Sequence, residues 1–145
     1  MGQVISIGKQ DFSSLRENHY FYIDKTDFIR QWWENADDIT LITRPRRFGK
    51  TLNMSMLNCF FSRQYADRGD LFEGLSIWKE EKYRELQGTY PVIFISFADV
   101  KQNNYEDAVQ KIKNIIVDVY SQYQCLNELE HFSEKDKLRI QSVTE

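Results

Sequence analysis

The sequence predicts an α/β fold in which helices cover both faces of a parallel sheet, giving three layers. Two short segments carry this prediction. ITLIT at 39–43 is a short β-branched run, and VIFISF at 92–97 is almost continuously apolar, so both suit strands buried on both faces. A helical pattern follows each of them, so strand and helix alternate as in a βαβ unit. Since only two such strands are present, the predicted sheet is incomplete.

Length and composition fit one domain or a piece of one. The chain has 145 residues, of which 41% are hydrophobic and 28% charged, as in a globular protein rather than a disordered one. The 19 basic and 22 acidic side chains give a net charge of −3, which excludes a strong overall attraction to nucleic acid or anionic lipid. Any such binding must therefore be local.

The sequence predicts no metal site, no disulfide and no membrane-spanning segment. No apolar stretch approaches the length of a membrane helix, and the amino terminus lacks the apolar core of a signal peptide, so we expect a cytoplasmic protein. Cys59 and Cys125 lie far apart without metal-ligand spacing, which predicts reduced thiols, with Cys59 buried in an apolar helix. His19 and His131 have no nearby carboxylate or cysteine pattern.

Residues 1–38 form the predicted leading segment and helix. The aromatic and β-branched run at 20–23 predicts an extended segment, and Asp24 or Thr26 is positioned to cap the helix that follows. Helical spacing places four large apolar side chains on one face of that helix, which predicts a core face. They are Phe28, Ile29, Trp32 and Trp33.

Residues 39–123 form the predicted core. Pro45 ends the first strand, and a helix is expected from Lys50 or Thr51 to Phe61, apolar around most of its circumference and therefore buried. A short charged helix is predicted from Lys79 to Leu86, where Gly88 ends it in the left-handed conformation.

After the second strand, Asn103 and Glu106 resemble a capping box at the start of a long helix. Apolar residues at spacings of three and four predict a stripe along about five turns of this helix. The stripe consists of Tyr105, Val109, Ile112, Ile116, Val119 and Tyr123. Residues 124–145 are a charged segment, partly helical and weakly informative.

The loop TRPRRFGKT, at 43–51, resembles the P-loop (Walker A) of nucleotide-binding proteins. Gly49 lets the backbone approach a phosphate, Lys50 can reach the β- and γ-phosphates, and Thr51 can offer its hydroxyl to Mg²⁺. The helix that follows points its free amides at the same place. We therefore predict Lys50 as the catalytic residue and Thr51 as the Mg²⁺ ligand. The predicted binding residues are Arg44, Pro45, Arg46, Arg47, Phe48, Gly49, Lys50, Thr51 and Leu52.

The loop departs from the pattern GxxxxGK[ST], because Arg44 stands where the first glycine is expected and Pro45 removes one amide donor. This predicts a loop of different shape, or weaker binding. Arg46 and Arg47 add two cations suited to phosphate oxygens. The alternative is that the basic residues from Arg44 to Lys50 bind nucleic acid and that GKT is a chance tripeptide.

Four segments together resemble the amino-terminal part of the bacterial AAA-ATPase-like family over nearly the whole chain, up to about Tyr123. They are YFYIDKTDFIRQWW, LITRPRRFGKTLNMSMLNCFF, LFEGLSIW and YPVIFISFADV. The form RPRRFGKT, without the first glycine, is that family's own. The resemblance implies a module that binds ATP and Mg²⁺, and a downstream nuclease-like domain of the PD-(D/E)XK kind in the intact protein.

Hydrolysis is expected only where acidic residues complete the site, and in this family they lie on a later strand of the type LIDEYD, which this sequence does not contain. Asp99 after the second strand and Asp118 in the long helix are weak local candidates. A fragment that binds nucleotide without turnover, or has only a structural role, remains a further alternative. The resemblance also places Asp24 and Lys25 in a motif ahead of the loop, although helix capping is the favoured role for Asp24.

Overall fold

The computed structural model of the chain describes residues 4–5, 8–123 and 133–144, and divides into two compact units, Met1–Val92 and Ile93–Glu145. The first unit contains α1 (Phe12–Glu17), α2 (Asp27–Asn35), α3 (Lys50–Phe61) and α4 (Glu81–Leu86), with short 3₁₀ turns at Arg63–Tyr65, Gly69–Phe72 and Ser76–Lys79. The second contains α5 (Tyr105–Gln122) and α6 (Glu134–Thr144). Cys125 and His131 lie outside the described residues.

The predicted three-layer fold with a parallel sheet is wrong for the part of the chain that the structure describes, which is helical and contains no strand. Its one strand-like pairing is an isolated parallel bridge between Ser62 and Tyr90. The segments at 39–43 and 92–97 have no regular secondary structure, and Ile39 is 90% exposed. A buried strand needs neighbours on both edges and cover on both faces, and apolar content alone does not supply them.

Helix α3 was predicted correctly from Lys50 to Phe61, and it forms the centre of the first unit's core. Gly49 in the left-handed conformation precedes it, and Ser62 returns the chain to an extended conformation. Its buried residues include Met56, Cys59 and Phe60. The thiol of Cys59 is buried as predicted, and burial raises its pKa to about 11, so the group is a packed neutral thiol at neutral pH.

Helix α1 was not predicted, and tertiary contacts with α3 hold it. Asp11 caps it by accepting a hydrogen bond from the Ser14 amide. The amide of Phe12 donates to Ser55 Oγ on α3 at 3.0 Å. The ring of Phe12, fully buried, stacks on Phe72 at 5.1 Å between centroids. Six residues are too few to form a stable helix alone, so α1 depends on this docking.

Helix α2 carries the core face predicted for it. Ile29 is fully buried, and Phe28 and Trp32 pack against the same core. Trp33 stacks on Phe61 with 5.6 Å between ring centroids. The two tryptophans are therefore packing residues at the edge of the core, as the helical spacing indicates.

Gly88 follows α4 and has a positive φ of 69°, as predicted for the end of that helix. Its amide donates to the carbonyl of Phe60 at 2.7 Å, and a β-carbon on it would lie 2.4 Å from Ala66 Cα. Backbone approaches backbone here so closely that only glycine fits. Helix α4 itself begins at Glu81 rather than Lys79, because Ser76–Lys79 forms a separate 3₁₀ turn.

The second unit consists of α5 with α6 packed against it. The cap of α5 lies one residue later than predicted, since Asn104 Oδ1 accepts from the Asp107 amide at 2.8 Å. Along the predicted apolar stripe, Val109, Ile112 and Val119 are partly buried, no described residue within α5 is fully buried, and Tyr105 is 82% exposed. Tyr123, directly after the helix, is buried. Helix α6 confirms that the charged segment is partly helical.

Candidate functional site

The loop before α3 turns sharply through two left-handed residues. Arg47 has φ 70° and Gly49 has φ 75°. Glycine adopts this conformation freely, whereas for a residue with a β-carbon it costs about 1–2 kcal/mol. The turn leads from the segment at 39–45 directly into α3, with Gly49 at the N-cap position and Lys50 as the first residue of the helix.

Lys50 is the first residue of α3, and its Nζ donates to the carbonyl of Arg44 across the loop. The amide of Asn53 donates to the Gly49 carbonyl at 2.9 Å, which is the first hydrogen bond of the helix. Within the described part of the chain, the amides of residues 49–52 have no backbone or side-chain acceptor. A helix start of this kind carries partial positive charge and favours an anion.

A cavity of about 860 Å³ lies between the loop, the segment at 40–43 and the start of α2. Its lining includes three basic side chains, Lys25, Arg44 and Lys50, and no carboxylate. Phe28 and Phe48 add aromatic surface, and Phe48 is 60% exposed. The volume lies within the range of small-molecule sites, and the charge makes the cavity suited to an anion.

The predicted binding residues divide into two groups. Arg44, Phe48 and Lys50 line the cavity. The others lie in the same loop or the first turn of α3 without belonging to the lining, and they are Pro45, Arg46, Arg47, Gly49, Thr51 and Leu52. Thr51 is exposed, whereas Leu52 packs against the core.

Lys25 joins this group from outside the loop. A β-carbon built on Gly49 would lie 3.7 Å from Lys25 Nζ, so the ammonium group lies beside the motif's glycine. The sequence placed Lys25 in a motif ahead of the loop only by family resemblance. The spacing of residues in the sequence could not reveal that Lys25 lies beside Gly49, because the two residues are distant in the chain.

Asp24, the neighbour of Lys25, has a structural role. Its Oδ1 accepts hydrogen bonds from the amide and the hydroxyl of Thr26 at 2.9 and 2.6 Å, and its Oδ2 accepts from the Ser76 amide at 2.7 Å. Partial burial raises the pKa of Asp24, but these hydrogen bonds outweigh that effect and lower it. The carboxylate thus links the start of α2 to the turn at Ser76. Of the two predicted caps, Thr26 occupies the N-cap position without a side-chain capping hydrogen bond, and Asp24 lies before it.

Comparison with known proteins assigns the family. A family model described as Predicted AAA-ATPase matches residues 6–144. The chain belongs to this AAA-ATPase-like family. It is also 33% identical over 113 residues to a protein of Azotobacter chroococcum mcd 1 described as an uncharacterized protein in the vnfD 5' region. The match covers 77% of this chain and 20% of that relative, so the chain spans about a fifth of the relative's length. No solved structure matches.

Of the remaining candidates of the AAA-ATPase-like chain, Asp99 and Asp118 belong to the second unit and Trp32 belongs to α2. Asp118 is exposed on α5, as a polar-edge position predicts, and Asp99 is exposed in a turn of the second unit. Trp32 donates its indole N–H to Thr40 Oγ1 at 2.9 Å, which links the segment at 39–43 to α2. The described residues contain no cluster of metal-ligating side chains and no helix long and apolar enough to cross a bilayer.

Proposed function

We propose that this AAA-ATPase-like chain binds ATP through the loop Arg44–Leu52, with the phosphates at the start of α3. One observation supports this most strongly: Lys50, the first residue of α3, lines a cavity of about 860 Å³ with two further cations and no acid. An adenine nucleotide with its phosphates fits a cavity of this volume and charge. The family match supports a nucleotide as the anion.

The residues of the loop make different contacts with the nucleotide in this proposal. Lys50 exchanges the Arg44 carbonyl for the β- and γ-phosphate oxygens, and the free amides of residues 49–52 donate to the same phosphates. The hydroxyl of Thr51 is exposed, which suits a ligand for Mg²⁺ that arrives with the nucleotide. Bound Mg²⁺ supplies charge neutralisation at the phosphates. Arg46 and Arg47, also exposed, offer further charge at the rim.

We propose ATP hydrolysis for the intact protein only. Turnover needs a carboxylate to hold Mg²⁺ and an acid to orient water, and the cavity lining contains neither. These groups would come from residues beyond this chain, which spans 20% of its relative. A downstream nuclease-like domain and a cytoplasmic location belong to the same proposal.

Mg-ATP is expected to raise the melting temperature of the chain by several degrees, because a ligand that binds only the folded state stabilises it by about 2.7 kcal/mol at a hundred times its Kd. Lys50→Ala should abolish this shift. Lys79→Ala, an exposed lysine of the same unit outside the cavity lining, is the control and should keep it. Differential scanning fluorimetry with and without Mg-ATP measures all three.

The competing function, nucleic-acid binding by Arg44, Arg46, Arg47 and Lys50, predicts a different pattern. RNA or DNA would then bind with an affinity that falls steeply with salt, and ATP would leave the melting temperature unchanged. A shift retained in Lys50→Ala would place the nucleotide elsewhere on the chain.

A further inference from the structure

One cation of the cavity wall comes from outside the nucleotide loop. Lys25 lies two residues before α2, it is exposed, and its ammonium group lies beside Gly49. Within the described residues it forms no ion pair and no side-chain hydrogen bond. Lys25 shares the cavity lining with two other cations and with no carboxylate, an arrangement that raises the local positive potential, which an anion would relieve.

The backbone of Lys25 is held in place from three sides. Its carbonyl accepts the Phe28 amide at 3.0 Å in the first turn of α2. Its amide donates to Tyr22 Oη at 3.4 Å, and that hydroxyl in turn donates to Met56 Sδ on α3 at 3.2 Å. Asp24, one residue earlier, is fixed to Thr26 and to the Ser76 amide. Hydrogen bonds therefore fix the backbone at Lys25, whereas none of the described residues forms a hydrogen bond with its side chain.

We propose that Lys25 is a second phosphate-binding lysine, which binds the phosphates together with Lys50 and makes the site selective for a triphosphate. This inference rests on the proposed function. Three cations, Lys25, Arg44 and Lys50, match the charge of a triphosphate chain better than that of a single phosphate. Lys25 also links α2 to the phosphates, so nucleotide binding stabilises the packing of α2 against the loop.

The test measures the affinity of five proteins for Mg-ATP, AMP and inorganic tripolyphosphate by isothermal titration calorimetry. They are the wild-type chain, Lys25→Gln, Lys25→Arg, Lys50→Ala and the control Lys79→Ala. Lys25→Gln should weaken Mg-ATP and tripolyphosphate binding about tenfold or more, the effect of losing one charged hydrogen bond, and weaken AMP binding much less. Lys25→Arg should recover part of the loss, because it restores the charge. A merely structural lysine would change all three affinities alike.

The outcomes separate this inference from the proposed function. If the wild-type chain binds neither Mg-ATP nor tripolyphosphate, both fail. If the wild-type chain binds and Lys50→Ala does not, while Lys25→Gln equals Lys79→Ala, the nucleotide site stands and the role of Lys25 is refuted. Circular dichroism melting of Lys25→Gln without ligand checks that the variant is folded; unchanged melting with lost triphosphate selectivity supports the inference.

Discussion

Gly88→Ala should destabilise the first unit by about 2–5 kcal/mol, combining the cost of a left-handed alanine with that of overpacking. The φ of Gly88 is +69°, and the added β-carbon would lie 2.4 Å from Ala66 Cα, which is backbone and cannot rotate away. Any backbone movement that makes room for the β-carbon would disturb the hydrogen bond from the Gly88 amide to the Phe60 carbonyl. Thermal or urea unfolding followed by circular dichroism measures the loss.

Gly74→Ala is the matched control for that experiment. Gly74 also has a positive φ, of 79°, but no atom lies within 4 Å of the position of its β-carbon. Its substitution should cost only about 1 kcal/mol, the conformational part alone. Equal losses in the two variants would show that the close approach at Ala66 does not exist in solution.

Phe60→Ala should cost about 3–5 kcal/mol, as expected when a large aromatic side chain is removed from a core. Phe60 is fully buried in the middle of the first unit's core, and its ring lies 5.0 Å from Phe61 and 5.2 Å from Phe72 between centroids. Because folded domains are stable by only about 5–15 kcal/mol, a loss of this size should leave much of the chain unfolded at moderate temperature.

Phe48→Ala serves as the control for Phe60→Ala. Phe48 precedes α3 and is 60% exposed, so its removal should change the free energy of unfolding by no more than about 0.5 kcal/mol. A similar loss in both variants would mean that α3 does not present its Phe60 face to the core. Equilibrium urea unfolding of both variants provides the comparison.

The sequence predicted α3 to both ends because its signals are local. Gly49 and Ser62 flank a helix whose apolar residues surround most of its circumference, and burial follows directly from that pattern. Helix α1 was not predicted because its only buried residues, Phe12 and Leu15, form too short a pattern. Its stability comes from its contacts with α3. The cap of α5 was misplaced by one residue because Asn103 and Asn104 are equivalent as sequence signals, and geometry selects the second.

The prediction of a parallel sheet was wrong for a different reason. A β-branched run such as ITLIT at 39–43 indicates that a segment is suited to pairing, but pairing itself needs a partner strand. The described residues supply none, and Leu41 is 83% exposed. The candidate site was predictable where the loop motif is contiguous, as at Arg44, Phe48 and Lys50. The position of Lys25 beside Gly49 depends on how α2 packs, which no spacing encodes.

Amide chemical shifts test the binding proposal most directly. In a ¹H–¹⁵N spectrum titrated with Mg-ATP, the largest shifts should fall on residues 48–52, since the free amides at the start of α3 become hydrogen-bonded to phosphate. Lys50→Ala should suppress those shifts, whereas Lys79→Ala should not. If the spectrum stays unchanged at saturating Mg-ATP, or if the shifts fall elsewhere and leave residues 48–52 unaffected, this loop is not a nucleotide site.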